Sequence, residues 1–165
     1  MAPANLELVR TKDAKPGYYF APGNQLMVVH TPAGDRFIPM VGEAPFVEVP
    51  DLESSMLMGL KGIEFEVSLG DPVKYDQDPK WGAGYLVLSV GGALSLAAFV
   101  RPFPQAEWER MLFDIQTCRP NAIDGSPYEH MWFQDWEIVA VRDGVRSTLA
   151  VSQPSGVTSR SFFVP

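Results

Sequence analysis

The chain has 165 residues, the length of one ordinary domain, and 46% of them are hydrophobic, with ten Phe, five Tyr and four Trp. Those proportions exclude disorder and supply a core that needs no disulfide staple. The net charge of −7 argues against binding to a nucleic-acid backbone, and the single Cys118 excludes an intramolecular disulfide.

The first fifteen residues, MAPANLELVRTKDAK, lack the basic-then-apolar pattern of a secretory signal. A cytoplasmic protein is the expectation. Within this stretch Leu6 and Leu8 alternate with polar neighbours and read as a strand. Residues 26–41 read as a β-hairpin around the turn-rich TPAGDR. Pro39 lies in its second arm and cannot donate to a ladder, so that arm belongs at a sheet edge or a bulge. A short strand is expected at 46–49. The segment ESSMLMGL that follows Pro50 and Asp51 suggests a short helix near 51–60, capped by Asp51 or Ser54.

The clearest period-two signal covers 63–69. Ile63, Phe65, Val67 and Leu69 fall on one face, and Glu64, Glu66 and Ser68 on the other. It predicts a half-buried strand with an acidic outer face. DPVKYDQDPKWGAG then reads as a long loop. Residues 85–100 form the most apolar run, but at 16 residues with Gly91-Gly92 in its centre it is shorter than the roughly 20 that a spanning helix needs. It reads as two buried strands hinged at the glycine pair, and no membrane span is expected.

An amphipathic helix is predicted at 105–117, because Trp108, Met111, Leu112 and Ile115 recur at helical spacing, opposite Glu109, Arg110 and Asp114. Pro104 suits its start and Pro120 its end. Residues 121–134 are irregular. WEIVAVRDGVRSTLAVS is a hairpin turning at Asp143-Gly144, and VTSRSFFVP closes the chain as a last strand. The expected architecture is a single α+β domain over 1–165, mainly antiparallel β as a sandwich or partly closed barrel, covered by the 105–117 helix.

Two regions are candidates for function. EHMWFQDW, from Glu129 to Trp136, crowds tryptophans, an imidazole and carboxylates into eight positions. Tyr128, His130, Trp132 and Trp136 suit an aromatic pocket for a sugar or a cationic ligand, in a small-ligand binder or small enzyme. The competing reading makes both tryptophans the cap of a core, with indole N–H groups bonded to backbone. Only two histidines exist, so a His-rich metal site is excluded; a mixed site would need Glu129, His130 and Asp135 to converge. Asp71, Asp76 and Asp78 lack the order of an EF-hand loop and read as solvated. Cys118 continues the apolar stripe of the predicted helix and reads as core, not as a nucleophile. There is no G-x-S-x-G, no P-loop and no G-x-G-x-x-G, and no cofactor is expected.

The second candidate is electrostatic. Between residues 43 and 78 nine acidic side chains face only Lys61 and Lys74, whereas the rest of the chain carries eleven charges of each sign. The whole excess is local. Glu64 and Glu66 project to one side, and Glu48 joins them if its strand is a neighbour. Like charges so close repel, a cost that a basic partner relieves; the competing role is protection of a strand edge. The expected function is therefore a non-catalytic binding or assembly-subunit domain whose acidic segment meets a basic protein, or a homo-oligomer.

Overall fold

The computed structural model describes residues 6–21, 24–32, 34–39, 56–60, 64–77, 81–82, 84–100, 107, 109–121 and 126–152. The predicted strands at 46–49 and 157–165, and Glu48, lie outside them.

The described strands form three antiparallel sheets. In the first, β1 (Leu6–Arg10), β2 (Gly17–Ala21), β3 (Asn24–Thr31), β4 (Gly34–Pro39) and β5 (Met56–Leu60) lie in the order β1-β5-β2-β3-β4. The β3–β4 hairpin is the one its turn chemistry predicts, and Pro39 ends the edge strand opposite Leu26, where a missing N–H is tolerated. The second sheet holds β7 (Pro72–Val73), β8 (Leu86–Leu88), β9 (Leu94–Val100), β10 (Glu109–Asp114) and β11 (Met131–Phe133), ordered β10-β9-β8-β11-β7. Gly91 and Gly92, at φ +114° and +87°, turn β8 into β9 in a region that L side chains rarely enter. The third sheet is β13-β12-β6, from β6 (Glu64–Leu69), β12 (Trp136–Arg142) and β13 (Val145–Val151). Asp143 and Gly144 both have positive φ, as the tight turn between β12 and β13 requires.

Two expected helices are overturned, and with them the α+β class; the stretches read as loop at 71–84 and as irregular at 121–134 also hold the short strands β7 and β11. Among the described residues the only helical pieces are two three-residue 3₁₀ turns, Thr11–Asp13 and Pro127–Glu129. The described residues are organised almost entirely as antiparallel β. Where the amphipathic helix at 105–117 was expected, β10 runs in register with β9 from Glu109 opposite Val100 to Asp114 opposite Ser95. The reason lies in Phe113, fully buried and unaccounted for by the helical stripe. Both faces of this sheet are covered: Met111 and Phe113 enter the central core while Leu112 enters a second cluster on the other side. A strand buried on both faces carries consecutive apolar residues, and these imitate helical spacing. Asp114 ends the strand by accepting the N–H groups of Gln116 and Thr117 at 2.8 and 3.0 Å. The short helix near 51–60 also gives way. Met56–Leu60 is β5, hydrogen-bonded between β1 and β2, so pairing on both sides outweighs the helix propensity of Met and Leu.

One core joins the three sheets. Met27, Val29 and Ile38 come from the first, Leu86, Leu96, Ala98 and Phe113 from the second, and Ile138, Ala140 and Leu149 from the third. Tyr18 ties all three together. Its ring packs 5.1 Å from Phe65 of β6, and its buried hydroxyl donates to the Ile115 carbonyl at 2.6 Å, just beyond β10. Burial in this position raises the phenol well above its ordinary range, so the hydroxyl remains a donor.

Candidate functional site

The aromatic region is built on the 3₁₀ turn Pro127–Glu129. Ser126 fixes its start: the hydroxyl accepts the Tyr128 N–H at 3.3 Å, and the Ser126 N–H donates to the Glu129 carboxylate at 3.2 Å. This turn leaves Tyr128 exposed, buries His130 and delivers the chain into β11. Trp132 then lies fully inside, with its indole N–H on the Pro127 carbonyl at 2.9 Å.

Around Trp132 the rings pack against one another at tilted and edge-on angles. Trp81 is 4.9 Å and Tyr75 5.4 Å from it, centroid to centroid, and Tyr75 also meets Trp81 and Tyr128 edge-on at 5.0 Å each. The cationic position of this cage is already filled. Arg110, from β10, lies 5.1 Å from the Trp132 ring and 5.5 Å from that of Tyr75. Its guanidinium donates to the Trp81 carbonyl at 2.7 Å and to the Tyr75 hydroxyl at 3.2 Å. Gly82, at φ +88°, is held under the same ring: a Cβ there would stand 2.9 Å from Trp132 Cζ3.

Trp136 is elsewhere. It opens β12 in the third sheet, belongs to the central core and donates its indole N–H to Gly84 O at 2.8 Å. The bend at Gln134-Asp135 thus sends the two tryptophans into separate clusters. Of the four residues expected to line one pocket, Tyr128 is at the surface, Trp132 is inside the aromatic cage, Trp136 is in the core, and His130 is buried with neither ring nitrogen hydrogen-bonded among the described residues. Arg110 is the member that sequence reasoning missed, since the helical reading placed it on a solvent face.

The other polar candidates are also placed. Glu129 is occupied by its own turn, and no three His, Cys, Asp or Glu side chains converge for a metal among the described residues. Cys118 is fully buried in the central core, and burial, aided by Asp114, pushes its thiol up to about 12. A thiol held protonated in this way is no nucleophile. Among the described residues an open cleft of about 270 Å³ lies at the end of the third sheet, lined by Ser68, Gly70, Asp135, Glu137 and Ser152 together with apolar neighbours.

The acidic strand follows its sequence pattern. In β6 Glu64, Glu66 and Ser68 are exposed while Phe65, Val67 and Leu69 pack against the core. β6 is the edge of its sheet among the described residues, and Glu64 and Glu66 stand opposite Val141 and Val139 of β12. Beyond β12, Arg146 of β13 reaches over that apolar middle strand to form an ion pair with Glu66.

Comparison with protein-family models, curated proteins and solved structures finds no match. The functional reading therefore stands on the site itself.

Proposed function

We propose that the chain is a non-catalytic binding or assembly domain that meets a basic protein partner through its acidic segment, with Glu64 and Glu66 as contact carboxylates. The observation that carries this reading is the exposure of both glutamates, side by side on one face of the edge strand β6. Carboxylates fixed at alternate positions of a strand concentrate negative potential, and their mutual repulsion is relieved when a cation approaches. Arg146 already pairs with Glu66 within the molecule, so a basic partner joins or displaces that ion pair while meeting Glu64. In the aromatic region the rings meet one another at tilted and edge-on angles, and Arg110 lies against two of them.

The test is kinetic. Partners are identified by crosslinking and mass spectrometry on the protein from its own source, then assayed for association at two ionic strengths with the wild type and with Glu64→Lys/Glu66→Lys. Electrostatic steering predicts that the double reversal slows association by about tenfold or more at low salt and flattens its salt dependence. Unchanged association rates for every partner would refute the reading.

A further inference from the structure

Resting on that reading, we infer that the partner engages by strand addition: an extended segment of alternating basic and apolar residues pairs antiparallel with the edge of β6 that no strand among the described residues covers. The hydrogen-bond phase of the sheet carries the argument. Gly70 donates its N–H to the Asp135 carbonyl at 2.8 Å, the next rung after Leu69 opposite Trp136. On the other side of β12, Ser152 donates to the Trp136 carbonyl at 2.9 Å. Rungs alternate in an antiparallel ladder, so Glu64, Glu66 and Ser68 direct their backbone groups toward β12. Phe65, Val67 and Leu69 direct theirs outward, where no strand meets them among the described residues.

Side chains then dictate the segment. Residues opposite Glu64 and Glu66 share the outer face with those carboxylates and must be basic, while residues opposite Phe65, Val67 and Leu69 share the core side and must be apolar. The same geometry disfavours a second copy of β6. Within 64–70, any antiparallel self-pairing that keeps the two faces in phase puts each glutamate opposite a glutamate, Ser68 or Gly70, never opposite a cation. The edge rejects itself and accepts a basic strand. At six residues β6 spans roughly 20 Å, enough for a segment of five to seven residues.

The probe is the capped heptapeptide Lys-Val-Lys-Val-Lys-Val-Lys, labelled and titrated with the full chain by fluorescence anisotropy at low salt. Its valines are the residues whose N–H groups face β6. N-methylation of two valines is expected to weaken binding by about tenfold or more, whereas N-methylation of two lysines, whose N–H groups face solvent, leaves it within about threefold. Glu64→Lys/Glu66→Lys removes binding with far-UV circular dichroism unchanged; if that variant unfolds, Glu64→Gln/Glu66→Gln takes its place. Equal binding of the two N-methylated peptides, still lost on charge reversal, would overturn strand addition and leave the acidic-surface reading standing. Failure of the parent peptide to bind, or binding indifferent to the glutamates, would overturn both. A dimer of the chain that the peptide dissociates would assign the edge to a second copy and overturn the proposal.

Discussion

Replacing Arg110 tests the aromatic cage and the strand assignment of β10 together. Its guanidinium makes two hydrogen bonds, to Trp81 O and to the Tyr75 hydroxyl, and lies over two rings. A hydrogen bond from a charged donor is worth about 1.5–3 kcal/mol and a partly desolvated cation–π contact about 0.5–2 kcal/mol. These contributions overlap because one group makes them all, and Arg110 is only half-buried, so water recovers part of the loss. Arg110→Ala is therefore expected to cost about 2–4 kcal/mol. Arg110→Met keeps the packed stem without the charge and should recover a minor part; Arg110→Lys keeps the charge without the fork and should fall between. Urea unfolding followed by tryptophan fluorescence measures all three, and Trp81 and Trp132 report the loosening directly. On the solvent face of a helix the same arginine would matter by only about 0.5 kcal/mol. A loss that small for Arg110→Ala would refute the cage and reopen the helical assignment of this segment.

Two glycines separate backbone strain from steric clash. Gly144, at φ +77° with nothing within 4 Å of where a Cβ would stand, should lose about 1 kcal/mol on change to Ala, while Gly82→Ala adds the clash with Trp132 and should lose at least twice as much; equal urea midpoints would contradict the close approach. Tyr18→Phe removes the hydroxyl from a buried carbonyl and should cost about 1–3 kcal/mol in the same assay, and a neutral result would mean that Ile115 O has another donor. Cys118 sets an alkaline limit. Its folded-state thiol, at about 12 against an ordinary 9.0, favours the protonated form, so its stabilising effect is full below pH 9 and is lost as pH rises toward 12. Stability should decline across that window with a shallower slope in Cys118→Ala, and native Cys118 should resist iodoacetamide at about pH 8; rapid alkylation would contradict its burial.

Legibility in this sequence followed the number of buried faces. β6 has one face in water, so its alternation was readable residue by residue, down to the outward Glu64 and Glu66. The Gly91-Gly92 and Asp143-Gly144 turns and the edge position of Pro39 were readable because backbone chemistry at those residues leaves few alternatives. β10 is covered on both sides, and there periodicity lost its meaning: Leu112 and Phe113 are apolar for different cores. The Trp132–Trp136 stretch was hard to read for a related reason. Spacing along the chain shows that two rings are near in sequence, but the bend at 134–135 decides that they enter different clusters.

The bond from Tyr18 to Ile115 closes a separation of 97 residues, and the Phe65 contact interrupts that interval near its middle. A knot of side chains drawn from three distant parts of the chain forms only after each sheet has found its own shape, because closing so long a loop is entropically uphill until there are prepared surfaces to meet it. Tyr18 should then act late: its loss would hasten unfolding far more than it would slow folding, and the joint it makes is a latch on a finished structure, not a seed for one.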